Sequence, residues 1–314
     1  MALVTEGRQK TRVGDGVLIV NKEAGWTSHD VVAKVRGLLG GVKVGHAGTL
    51  DPAATGVLPL LIGKATRVAE YLVGWDKEYR AVLRLGETTD TQDATGTVLQ
   101  RVETAGVSTD ILDAVVARFR GPQKQMPPMY SAVKVAGRPL YKSARAGETV
   151  ERAERDIVIH ELEVAAVDGR DIAVRIVCSK GTYIRTLCAD MGQALGVGGH
   201  LLSLERTRVG SLTIEQGLTV EQIAAHVTIG SIESVLLTLD QVLAQLPLVT
   251  VTTEQAARVS HGAPIGLPHD LPPTLSPIRL KDEQGRLLAI GTYDGQGKGL
   301  VRIDKVLVDS ESLN

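Results

Sequence analysis

The run GHAGTLDPAATGVL, residues 45–58, sets a polar loop with one carboxylate, Asp51, between the apolar stretches 42–44 and 57–62. Chemistry carried on a loop and held by rigid strands is a usual active-site arrangement. Pro52 disfavours the helical region for Asp51 and keeps its backbone extended. Gly45, Gly48 and Gly56 permit tight turns or the close approach of a ligand. An isolated Asp-Pro pair is usually just a turn, so the loop gains meaning only from its surroundings.

On its amino-terminal side, Val17, Leu18, Ile19 and Val20 form a short apolar strand. Thr27-Ser28-His29-Asp30 then signals a helix start. Val31, Val32, Val35, Leu38 and Leu39 follow at helical spacing until Gly40-Gly41 stops it. On the other side, residues 57–62 read as a buried strand and 65–73 as a helix ending at Gly74. Residues 77–85 alternate, with Tyr79, Ala81, Leu83 and Leu85 on one face and Glu78, Arg80, Val82 and Arg84 on the other. A polar turn at 87–96 leads into 97–102. Residues 109–118 form a helix in which Ile111, Leu112, Val115, Val116 and Phe119 share a face. A strand at 171–179 precedes a helix carrying Ile184, Leu187, Cys188, Met191 and Leu195, closed by Gly196. Strands and helices mix without a regular βαβ repeat, which predicts an α+β fold on an antiparallel or mixed sheet with flanking helices.

Near Leu246-Pro247 the texture changes. A short helix at 253–260, a stretch with Pro264, Pro268, Pro272, Pro273 and Pro277, and strand-like segments at 287–292 and 300–303 predict a small β-rich domain over 247–314.

The length of 314 residues exceeds what one hydrophobic core usually serves, and 43% hydrophobic residues exclude a chain disordered throughout. No apolar stretch is long enough to span a bilayer, and no signal-like segment opens the chain, so the expected location is the cytoplasm. Cys178 and Cys188 fit no zinc or redox spacing and read as buried thiols. A net charge of −1 gives no global pull on a polyanion. Locally, however, residues 121–145 hold Lys124, Lys134, Arg138, Lys142 and Arg145 with Tyr130 and Tyr141 and no acid. That combination suits phosphates and stacked bases, and equally a solvated basic loop.

The loop at 45–58 resembles the catalytic signature of the TruB family of pseudouridine synthases. Asn21-Lys22 with Gly25-Trp26-Thr27-Ser28 resembles that family's opening motif, with Glu23 where the family usually has proline. Leu85-Gly86, Thr88 to Thr91 and Asp93 to Gly96 are similar to its LGxxTDTxDxxG segment. Gln125 to Lys134 is similar to its QxPPxYSAxK stretch, Lys180 to Leu187 to its second active-site motif, and Leu201 to Gly210 to its HLxxLxRTxxG stretch. The matches keep one order over about residues 16–210.

The resemblance implies a catalytic domain over 10–246, with an RNA-contacting segment at about 121–147, and a PUA-like RNA-binding domain over 247–314. It implies isomerisation of uridine to pseudouridine at position 55 in the T arm of tRNA, without metal or other cofactor. Asp51 would be the catalytic carboxylate, by covalent attack or by a glycal route, and Arg185 would pair with it and keep it ionised. Tyr79 would stack on the base, Tyr183 and Leu204 would line the uracil pocket, and His46 would fill the space left by the flipped-out nucleotide. Lys22 would support the pocket or a phosphate, while Lys124, Tyr130, Lys134, Arg138, Lys142 and Arg145 would meet the T-arm hairpin. Read singly, Tyr79, Tyr183 and Leu204 are core residues and Arg185 a surface arginine. The tRNA would be the partner, with a monomer, no membrane association and no protein partner required. Two rivals are an RNA-folding protein with a purely structural Asp51 and a small-molecule Asp/His hydrolase. The second lacks a nucleophile elbow and a second paired carboxylate.

Overall fold

A computed structural model describes residues 13–131, 133–135, 137–267, 276–294 and 299–309. Pro268, Pro272 and Pro273 of the Pro-rich stretch, and residues 10–12 at the expected domain start, lie outside these. In chain order the first part runs β1 (Gly16–Lys22), α1 (Ser28–Leu38), β2 (Val44–His46), β3 (Thr55–Ile62), α2 (Ala69–Gly74), β4 (Lys77–Leu85), β5 (Glu87–Thr89), β6 (Val98–Arg101) and α3 (Thr109–Arg118). It continues through β7 (Gly121–Gln125), β8 (Lys134–Val135), β9 (Arg138–Pro139), α4 (Leu140–Arg145), β10 (Arg155–Asp168), β11 (Asp171–Cys178), α5 (Ile184–Ala194) and β12 (Gly199–Val209). After β13 (Leu212–Thr213), α6 (Val220–Thr228) and α7 (Leu239–Val242), the last part holds β14 (Leu248–Thr250), α8 (Thr253–Ser260), β15 (Ile265–Gly266), β16 (Ile278–Lys281), β17 (Leu287–Asp294) and β18 (Leu300–Val306).

The large sheet has the order β1-β3-β12-β4-β11-β10-β7, with β2 added to β3 and β13 to β12. β3 pairs with β12 in parallel, and the other pairings are antiparallel. Every residue of β3 after Thr55 is buried, which explains why its sequence is a continuous apolar run without alternation. β4 does alternate. Its apolar face, Tyr79 to Leu85, packs on Leu112, Val115 and Val116 of α3 and on Ile184, Leu187, Cys188 and Met191 of α5. A second cluster fills the space between β1, β3, α1 and α6, and Leu204 packs against both.

Helix α1 begins on a complete capping box between Thr27 and Asp30, and α3 spans the expected residues. Three expectations shift. The helix expected over 65–73 opens as a 3₁₀ turn, Gly63–Val68, before α2. The loop from Gly45 is strand β2 as far as His46. Ile111, expected on the buried face of α3, is 47% exposed, because the apolar stripe narrows to Leu112, Val115 and Val116. Both cysteines are buried free thiols, pushed up to about 12 by burial.

The carboxy-terminal β unit is a five-stranded sheet, β14-β16-β17-β18-β15, with its own core around Val259, Ile278, Leu280 and Val301. It also shares a cluster with the first part, in which Ile290 and Leu307 join Val17, Leu72, Val242 and Leu243. Among the described residues, no helix is long and apolar enough to cross a membrane.

Candidate active site

The loop bearing Asp51 is clasped by the Asn21–Ser28 region. Ser28 Oγ donates to the Leu50 carbonyl at 3.0 Å and accepts from its N–H at 2.9 Å. Lys22 Nζ donates to the carbonyls of Glu23, Trp26 and Pro52 at 3.0, 2.8 and 3.2 Å, and the Gly25 N–H reaches the Pro52 carbonyl. Lys22 is fully buried, so its ammonium braces the Asp-Pro turn instead of facing a phosphate. Burial pushes it down to about 8, Arg206 adding to the effect and Asp51 opposing it.

Arg185, in the first turn of α5, places Nε 2.9 Å from Asp51 Oδ2. Its other donors are engaged as well. Nη2 donates to the Tyr130 carbonyl at 2.8 Å, and Nη1 donates to the Thr91 carbonyl at 3.2 Å and lies 3.6 Å from Asp93 Oδ2. Asp93 is in turn fixed by the hydroxyls of Thr91 and Thr95 and the Thr95 N–H. The LGETTDTQDATG stretch is therefore a socket for this guanidinium. The Arg185 side chain is 7% exposed and that of Asp51 is 45%, so the pair has one buried and one open member. Burial raises the Asp51 carboxyl above its ordinary value. Arg185 and Lys22 pull it down and Asp93 pushes it up, so the ion pair only partly offsets desolvation.

Tyr79 lies on the buried face of β4, where desolvation pushes its phenol up to about 12 against the pull of Arg206. It keeps its proton at any physiological pH. Half-buried Tyr183 is held by a reciprocal pair with buried Gln125, whose amide accepts from the Tyr183 N–H at 2.8 Å and donates to its carbonyl at 3.1 Å. His46 ends β2 with Nδ1 buried and unpaired among the described residues, and burial first, then Arg206 and His29, lower its pKa. Leu204 stands on β12, two residues before Arg206.

The basic segment is less uniformly positive than its own sequence implies. Lys124 pairs with Asp156 at 3.0 Å and Arg138 with Glu148 at 2.7 Å, both acids from outside residues 121–145. Lys134 and Lys142 are exposed, and Arg145 lies over the Tyr141 ring at 5.6 Å. Tyr130 contributes its carbonyl to Arg185, which ties this segment to the Asp51 socket.

Arg206, Gln125 and Ser28 also hold the site together without being site candidates from their residue type; each lies inside one of the family-like motifs, the signal by which it could have been found.

Two family profiles match the chain: "TruB family pseudouridylate synthase (N terminal domain)" over residues 36–184 and "tRNA pseudouridylate synthase B C-terminal domain" over 185–246. The tRNA pseudouridine synthase B of Ectopseudomonas mendocina (strain ymp) is 42% identical over 95% of this chain and 96% of its own. That of Thermobifida fusca (strain YX) is 45% identical over 88% of this chain and 94% of its own. Among solved structures, a Cbf5-Nop10-Gar1 complex has a chain similar at TM-score 0.75 and 28% identity, covering 97% of this chain and 88% of that one. A chain in an H/ACA RNP bound to a substrate RNA containing 2′-deoxyuridine is similar at TM-score 0.73 and 27% identity, over 94% of this chain and 86% of that one. With the motifs in one order, the profiles meeting at residue 184 and relatives matched along nearly their whole length, the chain belongs to the TruB family of pseudouridylate synthases.

Proposed function

We propose that this chain forms pseudouridine in tRNA, at position 55 of the T arm, with Asp51 as the catalytic carboxylate acting on a uridine flipped out of the RNA. The observation that carries the reading is the 2.9 Å pair between a nearly buried Arg185 and an accessible Asp51, on a loop clamped from both sides. The names of the relatives supply the substrate class.

The reaction breaks the N1–C1′ bond, turns the uracil and joins C5 to C1′, C5 giving up its proton and N1 gaining one so that the atoms balance, and the base must stay held while unattached. Asp51 as a carboxylate can attack carbon, or remove a proton from the sugar on a glycal route. Both routes need its negative charge, and a desolvated carboxylate is the more basic one. Arg185 orients it through Nε while its Nη groups stay anchored on the Thr91 and Tyr130 carbonyls, a division of donors that a lysine could not reproduce. Tyr79 offers a ring for stacking and a hydroxyl that keeps its proton. Tyr183 and Leu204 are assigned to line the uracil pocket, and His46, its pKa lowered by burial, is suited to fill the gap in the RNA stack. Lys134, Lys142 and Arg145, with Lys124 and Arg138 exchanging acidic partners for phosphates and Tyr130 beside them, form the surface for the hairpin. The carboxy-terminal β unit, residues 247–314, serves as a second RNA-binding surface.

The test is to incubate the protein with an unmodified tRNA transcript, tag pseudouridine chemically and map it by mass spectrometry. One tagged site at position 55 is expected. An untagged transcript, or tags spread over other uridines, would refute the assignment.

A further inference from the structure

Arg206 is the largest fully buried side chain among the described residues, with 1% exposure, and it touches both halves of the site. Its place in the sheet explains how. On β12 it is the register partner of Tyr79 on β4 and, across the parallel pairing, of Gly56 on β3. The approach to β3 is so close that a Cβ on Gly56, whose φ is +97°, would stand 2.2 Å from the Arg206 carbonyl oxygen. The guanidinium then reaches back over the loop. Nε donates to the Val57 carbonyl at 2.7 Å, Nη2 to the Gly48 carbonyl at 2.8 Å and Nη1 to the Thr49 carbonyl at 3.5 Å, while the cross-strand register sets Tyr79 directly opposite Arg206. Its hydrogen-bond acceptors are all backbone carbonyls, and among the described residues no carboxylate forms an ion pair with it. A buried cation without a counter-charge is expensive, and burial lowers the Arg206 pKa accordingly. Packing alone would be served better by an apolar side chain.

We infer that Arg206 is a positioning residue for the reaction: it ties the entry and exit of the Asp51 loop to the point on β12 that faces Tyr79, so that carboxylate and phenol address the same base. This rests on the proposed pseudouridine chemistry. Because Arg206 is buried, it acts on the chemical step and not on RNA affinity.

The test is a double-mutant cycle of Arg206→Lys and Tyr79→Phe, reading single-turnover rate at saturating tRNA, tRNA Kd and Tm. Wild-type turnover and loss of turnover in Asp51→Asn are measured beside it, and their failure would count against the proposed function itself. If Arg206 works through the Tyr79 hydroxyl and the loop, Arg206→Lys slows the step by about 10²-fold, as a misplacement of about an ångström does. Kd then stays unchanged, and the double variant is no slower than the slower single one. A wild-type rate in Arg206→Lys, a loss confined to Kd, or rate losses that multiply in the double variant would each overturn the inference. Should Arg206→Lys fail to fold, Gly48→Ala replaces it in the cycle with Tyr79→Phe: its methyl would stand 3.3 Å from Arg206 Nη1, and because a φ of +88° also strains the loop itself, only a rate loss that does not multiply with that of Tyr79→Phe supports the inference. A wild-type rate there overturns the inference equally.

Discussion

Asp51 can serve either route only as a carboxylate, so the direction of its titration sets the pH response. Its folded value lies above the ordinary 3.8, chiefly through burial. Turnover should therefore be full above that folded value and fall away as pH drops through it. Arg185→Gln removes the main downward pull, so the acidic limb of the pH–rate profile is expected to move to higher pH. A limb that stays fixed contradicts the electrostatic role given to Arg185. The same shift has a thermodynamic side. Because the folded state holds the Asp51 proton more tightly than the unfolded one, stability declines as pH rises from 3.8 through the folded value. Asp51→Asn leaves no charge to bury and should melt no lower than the wild type at neutral pH. A clearly lower Tm would mean that the carboxylate supports the fold.

At the start of α1, one hydroxyl holds both backbone groups of Leu50 in the Asp51 loop. Ser28→Ala strips both backbone groups of buried Leu50 of their partner, at a cost of about 1–3 kcal/mol in stability. Thermal melts and single-turnover assays should show a lower Tm and slower chemistry with tRNA binding retained. An unchanged rate would dissociate the clasp from catalysis. Among the elements, β4, α1, α3 and α5 could be read from periodicity because each buries one face and exposes the other. Strands β10 and β12 could not. Both carry bulges, at Ile159/Glu161 and Val164/Ala166 in one and at Leu201/Ser203 and Arg206/Arg208 in the other, and each bulge resets the alternation. Arg206 was hidden for a related reason. An arginine in a strand ordinarily faces water, and its partners Gly48, Val57 and Tyr79 come from distant segments that only the sheet order assembles. The Asp51–Arg185 pair was available only through motif resemblance, since 134 positions of chain separate two residues that spacing alone cannot relate.

The two parts of the molecule share more than a linker. Ile290 and Leu307 enter the apolar cluster of the first part, and buried Arg279 binds the Leu246, Ala244 and Asp240 carbonyls and the Asp240 carboxylate. Scanning calorimetry should therefore show one cooperative transition for the whole chain, and Arg279→Met should lower it or split it in two. Two separated transitions in the wild type would contradict a shared core. A docked β unit would give the proposed RNA-binding surfaces a fixed relation to Asp51, and everything proposed for the molecule converges on that carboxylate. The most direct measurement is pseudouridine formation in unmodified tRNA by Asp51→Asn, read by chemical tagging and mass spectrometry beside a tRNA-binding assay. The rate is predicted to fall by about 10²–10⁴-fold, the range that a positioned acid or base supplies, with binding kept. Turnover at the wild-type rate would contradict the account.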